Sequence, residues 1–275
     1  MRPAAPTTPD HEVDVLPEPD ITSVRNDRVK DVAGLQRAKG RRATGRYLVE
    51  GPNAVGEVVA DGLAEELFVV PEAADDWADA GVPVTVVTEH VLERLTDVRT
   101  PQGVVAVARI VTARLEDVVG AGVLVVCHEV ADPGNAGAIV RTADAAGAAG
   151  VVLTTGSADV FAPKAVRSTT GSITHLPLVV DVTIDEVVAA CRAAGQRLVG
   201  LDLGGDADVF AAGVVDPPVA LVFGNEAHGL PPEVSGRLDV RTRVPMFGRA
   251  ESLNLAAAVA VTVYEAARRT RPPAG

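Results

Sequence analysis

GVLVVCHEVADPGNAGAIVRTADAAGAAGVVLT, residues 122–154, is the stretch on which the fold turns. An apolar run at 122–130 meets a Gly/Pro/Asp loop, then a small-residue segment at 135–147, then a second apolar run at 150–154. Near-continuous Val/Leu runs are what strands covered on both faces require. A helix between two such strands makes a parallel βαβ unit. Downstream the spacing predicts a helix over 185–195, strands over 197–203, 218–224 and 238–246, and a last helix from Ser252. This unit is therefore α/β with a mainly parallel sheet.

Upstream the alternation repeats on a smaller scale. Val29, Val32, Leu35 and Ala38 lie at helical spacing, predicting a helix over 24–39. A strand follows at 45–51, and then a helix at 52–62 that opens at Pro52 and stops at Gly62. Strands are expected at 66–70, 83–87 and 103–109, and a helix at 88–97 with Thr88 as its cap. The boundaries drawn are a first domain at 23–112 and a second at 118–271, joined through TARLEDVVGAG. Residues 1–22 read as a disordered, acidic, Pro-rich tail.

Composition narrows the function. Hydrophobic residues make up 47% of the 275, enough for a sizeable core. No apolar run reaches the ~18 residues of a membrane span, and the N-terminus lacks the basic-then-apolar order of a signal peptide. A cytoplasmic protein without a membrane partner is expected. Cys127 and Cys191 sit among Val, Ala and Leu and read as reduced, buried thiols. The five histidines are scattered, and no C-x-x-C or H-E-x-x-H spacing occurs, so no metal site is expected. The net charge of −12 argues against a generic nucleic-acid binder. Yet residues 25–46 hold eight Lys/Arg against two acids, a local +6 that leaves −18 elsewhere. Such a block suits either a polyanion contact at one end of the molecule or a solvated helix face.

In an open parallel sheet, ligands bind beyond the carboxyl ends of the strands. Three such ends carry unusual residues. In ADPGNAGAIVRTAD (131–144), Asn135 suits a helix N-cap, and Arg141 lies inside the helix as either an ion-pair partner or a phosphate ligand. In LVFGNEAHGL (221–230), a buried strand runs into Gly224, which would let backbone approach a ligand, and then into Asn225 and Glu226. In RVPMFGRAESLN (243–254), Ser252 is a natural N-cap, and Asn254 in the same turn exceeds what one cap needs. Backbone amides, an Arg, a Glu, a hydroxyl and amides suit the orientation of two substrates better than covalent catalysis.

Together the three segments resemble, in order and spacing, the three motifs of the SpoU (TrmH-like) RNA ribose methyltransferases of the SPOUT class. Residues 40–62 are similar to that family's N-terminal RNA-binding domain, which is like ribosomal protein L30e. The resemblance spans roughly residues 25–270 and implies a deep trefoil knot in the C-terminal domain. It implies S-adenosylmethionine as cofactor, contacted by Gly224, Val244, Met246 and Leu253, with Leu201 a further contact. It assigns Asn135, Arg141, Glu226, Ser252 and Asn254 to the catalytic set. Arg141 would act either in deprotonating the 2′-hydroxyl or as a charged clamp on the adjacent phosphate and developing alkoxide. It also implies a homodimer through the last helix, although burial of that helix in its own domain would equally use its Ala/Val run. RNA contact is assigned to Arg37, Lys39, Arg41, Arg42 and Arg46, with ribosomal RNA favoured by the N-terminal domain. The alternatives are a tRNA 2′-O-methyltransferase, or a non-catalytic RNA-binding or ribosome-assembly protein. A Rossmann-type oxidoreductase would need a dinucleotide fingerprint that the chain lacks.

Overall fold

The computed structural model describes residues 16–270, so most of the expected tail lies outside the described residues. The N-terminal part runs through α1 (Asp27–Ala33), a 3₁₀ turn (Gly34–Gln36), α2 (Ala38–Thr44), β1 (Arg46–Glu50) and α3 (Pro52–Ala60). It continues with β2 (Ala64–Val69), β3 (Val84–Val86), α4 (Glu89–Leu95) and β4 (Val104–Arg109). Its sheet has the order β1-β4-β2-β3, with β4 antiparallel to both its neighbours and β2 parallel to β3.

The expected helix over 24–39 is broken. Arg37 is extended (φ −101°, ψ 141°), and a new helix starts at Ala38. Gly40 packs onto the Gly34 carbonyl so closely that a Cβ would stand 2.2 Å from its oxygen. The bend brings Arg41 back over the first turn, where its Nη1 donates to the carbonyls of Leu35 (2.8 Å) and Gln36 (2.9 Å). Those carbonyls have no helical donor because the helix stops there. Thr88 occupies the N-cap position of α4, but its hydroxyl makes no cap bond and is buried unpaired.

The C-terminal part contains β5 (Val123–Cys127), α5 (Pro133–Ala146), β6 (Gly150–Thr154), α6 (Pro163–Thr169), β7 (Leu178–Val182) and α7 (Ile184–Ala193). Then come β8 (Arg197–Leu201), the two-residue β9 (Ala207–Asp208), β10 (Val219–Phe223), α8 (Pro232–Ser235), β11 (Val240–Arg243) and α9 (Leu255–Thr270). The seven strands lie in the order β7-β6-β5-β10-β8-β11-β9, and every pairing is parallel. β5, β6 and β10 are buried at every position, as their apolar sequences require. Alternate residues feed two cores. Val125, Cys127 and Phe223 meet α5 and α9 on one face, and Leu124, Val126 and Val222 meet α7 and α8 on the other.

One further expectation is corrected. The last helix begins at Leu255, not Ser252: Asn254 Oδ1 accepts from the amides of Ala256 (2.9 Å) and Ala257 (3.4 Å) and is its cap. The buried face of α9 packs on α5 of the same chain, so its small residues serve an intramolecular contact. Residues 155–184, for which no element was expected, form α6, a 3₁₀ turn and β7.

That unexpected segment meets the N-terminal part. Arg41, 4% exposed, donates through Nε (3.0 Å) and Nη2 (2.6 Å) to Asp159 Oδ2. Arg167 pairs with Asp97, and the Tyr47 and Phe161 rings pack 5.2 Å apart. One apolar cluster runs through both sheets, from Tyr47 and Val49 to Phe161 and Ile173.

Candidate active site

β5, β10, β8 and β11 are consecutive in the sheet, so their carboxyl ends open onto one place. A basin of about 900 Å³ lies there, formed by residues 131–135, 201–203, 223–230 and 243–258. Its size falls in the usual range for small-molecule sites. Asn135, Leu201, Gly224, Glu226, Val244, Met246, Ser252, Leu253 and Asn254 all line it, so nine of the ten catalytic and cofactor candidates converge.

The tenth does not. Arg141 lies farther along α5, is exposed, and its Nη1 donates to Thr170 Oγ1 (3.3 Å). It does not line the basin of its own chain.

A hydrogen-bond chain ties the three loops together. Glu226 Oε2 accepts from the Ala131 amide (2.8 Å), and Oε1 from the Asp132 amide (3.0 Å) and Asn135 Nδ2 (2.9 Å). Asn135 Oδ1 in turn accepts from Asn254 Nδ2 (3.2 Å). Asn254 is itself held by the first turn of α9, so a carboxylate on one loop fixes two amides on the others. Partial burial opposes ionisation of Glu226, but the donors from Asn135, Ala131 and Asp132 outweigh it and hold the carboxyl below its ordinary value of 4.5.

Asn135 is not the cap of α5. The helix starts at Pro133, and Asp132 caps it, Oδ1 accepting from the Asn135 amide (2.9 Å). This frees the Asn135 side chain for the basin. Lys164 on α6 holds the other Asp132 oxygen at 2.6 Å, and that bond, with the cap, keeps the Asp132 carboxyl below its usual range. Sequence reading missed Asp132 and Lys164, although D-P-x-N, with Pro at N1, is a recognisable helix start.

Gly224 is required by its own loop, apart from any ligand. A Cβ there would lie 2.3 Å from the Gly229 carbonyl, because the loop returns across it, closed by the paired backbone bonds of Asn225 and Gly229. The close approach is to its own loop. Asn225 Nδ2 reaches back to the Glu129 carbonyl (2.8 Å), tying this loop to the first. His128 lies behind the site, its Nδ1 3.1 Å from Thr154 Oγ1. Cys127 and Cys191 are free and buried, their thiols pushed up to about 12 and about 11 by loss of water.

The basic candidates separate. Arg37, Lys39 and Arg42 are exposed and pair with no carboxylate among the described residues. Arg46 is half-buried on β1, 3.8 Å from Glu65. Arg41 is corrected from an RNA contact to a structural group, since it is buried and each of its three guanidinium nitrogens donates within the chain. Among the described residues no group of His, Cys, Asp and Glu could hold a metal, and no helix is long and apolar enough to cross a membrane.

Known proteins share this fold. The model of the SpoU rRNA Methylase family matches residues 122–264, and that of an MRM3-like substrate binding domain matches 26–106. The chain is 34% identical over 246 residues to a 23S rRNA (guanosine(2553)-2′-O)-methyltransferase of Bacillus subtilis, covering 89% of this chain and 97% of the other. An AdoMet-bound rRNA methyltransferase from Sinorhizobium meliloti superposes with a TM-score of 0.83 at 34% identity, over 91% of this chain and 97% of that one. The SpoU methyltransferase AviRb from Streptomyces viridochromogenes, in complex with AdoMet, gives 0.79 at 32% identity over 90% and 98%.

Proposed function

Because the chain belongs to the SpoU rRNA methylase family, we propose that it methylates a ribose 2′-hydroxyl of 23S ribosomal RNA with S-adenosylmethionine as donor. The observation that carries this reading is the Glu226–Asn135–Asn254 hydrogen-bond chain set against an apolar basin. A catalytically silent RNA-binding protein has no need to keep three loops in that register.

The basin suits the cofactor. Leu201, Val244, Met246 and Leu253 give apolar walls for an adenosine, and the Gly224 loop offers backbone groups at the strand ends. When bound, S-adenosylmethionine supplies an electrophilic methyl on sulfur. The chain's own residues position the other partner. Glu226 fixes the Asn135 amide, and Asn135 and Asn254 then present fixed dipoles where the ribose hydroxyl enters. Ser252 adds a hydroxyl at the same rim.

Arg141 remains charged at working pH, so its contribution is electrostatic. Lying outside its own basin, it acts on the basin of a second copy in a homodimer. Phe247, 92% exposed in the loop before α9, and Tyr264, 52% exposed on α9, are apolar surface that a second copy would cover. Residues 23–112 present RNA through Arg37, Lys39, Arg42 and Arg46, and residues 118–271, with a knotted sheet, carry out transfer in the cytoplasm.

The test is transfer of labelled methyl from S-adenosylmethionine to unmodified ribosomal RNA, followed by alkaline hydrolysis. A 2′-O-methyl blocks cleavage at its own nucleotide, so label must appear in alkali-resistant dinucleotides. No transfer and no cofactor binding would remove the reading.

A further inference from the structure

Four ion pairs cross between the N-terminal part and the rest of the chain among the described residues: Arg41–Asp159, Arg167–Asp97, Arg167–Glu50 and His175–Glu57. Three use a guanidinium, which keeps its charge at any working pH. The fourth uses an imidazole.

His175 follows the 3₁₀ turn Ser172–Thr174. Its Nδ1 lies 2.9 Å from Asp144 Oδ2 on α5, and its Nε2 lies 3.1 Å from Glu57 Oε2 on α3. A neutral imidazole has only one N–H, so it can donate to one carboxylate and must turn a lone pair to the other. Only the imidazolium donates to both. Its surroundings agree. The Asp144 hydrogen bond first, then Glu57, raise His175 above its ordinary 6.5 against the opposing cost of burial. Charged groups on the neighbouring elements are committed elsewhere: Arg167 to Asp97 and Glu50, and Lys164 to Asp132. Arg141 donates to Thr170.

The contact is placed where it can matter. Asp144 is one turn along α5 from Arg141. Thr170, which accepts from Arg141, opens the same short segment that ends in His175. Gly171 in that segment fits so tightly against α3 that a Cβ would meet Glu57 Cγ at 2.8 Å. One face of the segment therefore holds Arg141 and the other rests on the N-terminal part.

We propose that His175 is a positioning residue: in its charged form it straps Glu57 to Asp144 and so fixes how the N-terminal part presents RNA to the segment that holds Arg141. The role given to Arg141 and RNA rests on the methyltransferase reading; the strap itself does not. Once the imidazole loses its proton, one carboxylate has no donor and the two parts are held by the guanidinium pairs alone.

The test compares wild type, His175→Gln and Glu57→Gln from pH 6 to 9. Steady-state methyl transfer gives KM for RNA and kcat separately, and S-adenosylmethionine affinity is measured at each end of the range. The imidazole titration is followed by NMR in wild type and Glu57→Gln. In wild type, KM for RNA should rise roughly three- to fivefold with pH, the scale of a partly exposed ion pair. His175→Gln should hold the high-pH KM throughout, with kcat and cofactor affinity unchanged. Glu57→Gln should lower the pH at which His175 titrates. If His175→Gln follows the wild-type KM profile, or if the titration is unmoved by Glu57→Gln, the strap is refuted. Wild type that transfers no methyl would instead sink the methyltransferase reading, and the NMR titration would still decide the strap.

Discussion

Arg41→Ala tests the reassignment of a basic residue from RNA contact to structural clasp. The side chain makes four hydrogen bonds, two to Asp159 Oδ2 and one each to the carbonyls of Leu35 and Gln36. Removing one member of a buried ion pair costs about 3–5 kcal/mol when the other charge stays dry. Asp159 is 29% exposed and can draw in water, which places the loss at the lower end of that range. The two carbonyls lose their donor as well, each at about 1 kcal/mol. The sum is about 5 kcal/mol, a large part of the stability of an ordinary domain. Arg41→Lys keeps the charge but not the fork, and should recover only part of it. Urea unfolding gives the stability, and RNA affinity is measured across a salt series. Arg42→Ala is the control: exposed and unpaired, it should leave the unfolding midpoint in place and reduce the salt slope of RNA binding by about one. The reasoning is refuted if Arg41→Ala unfolds within ~1 kcal/mol of wild type while losing RNA affinity as Arg42→Ala does.

Asn254→Ala should cost about 1 kcal/mol through loss of the α9 cap, whereas Ser252→Ala should leave the thermal midpoint unchanged, because Asn254 and not Ser252 bonds the helix. Gly137→Ala would place a Cβ 2.2 Å from the Ala165 carbonyl oxygen and 2.7 Å from Ser168 Cβ, forcing α5 and α6 apart. It should cost about 1–3 kcal/mol or more in denaturant unfolding. Gly134→Ala meets only the ends of Asp132 and Lys164 and should be much milder. The folded Glu226 carboxyl lies below 4.5, so its hydrogen bonds stabilise the fold above that pH, and the contribution fades as pH falls through the lowered value. Glu226→Gln should therefore flatten the acid limb of a stability–pH curve. An unchanged limb would mean that the carboxylate's donors contribute nothing.

What could be read from the sequence follows from how local the signal is. β5 and β10 are unbroken apolar runs, and β6 adds only Thr154 at its end, because both faces of each strand are covered, so short apolar runs bounded by turn residues identify a parallel core. Helix ends were less legible, since several residues compete for each cap. Ser252 and Asn254 are both good N-caps, and only the turn geometry selects Asn254. Asn135 lost the cap to Asp132 for a similar reason, because Pro133 starts the helix three residues after Val130. The break at Arg37 could not be read locally. It depends on a carboxylate 118 positions beyond Arg41.

The same contrast explains the site. Residues that line the basin belong to loops that leave adjacent strands, so recognising the loops was enough to assemble them. Arg141 and Arg41 break the pattern in opposite directions. Each is a charge in a suggestive stretch, but a side chain's task depends on what faces it. Arg41 meets an acid from 155–184, the stretch in which no element was recognised, and is consumed by it. Arg141 meets only a threonine hydroxyl from the same stretch, at 3.3 Å, and keeps an exposed guanidinium. An unspent charge beside an exposed face is available to another molecule, and a spent one is not. Mixing Arg141→Ala chains with Asn254→Ala chains turns that distinction into a measurement. If Arg141 serves a second copy's basin, a mixed dimer carries one intact site and regains transfer that neither variant has alone. If each basin uses its own Arg141, every site in the mixture is defective and no activity returns.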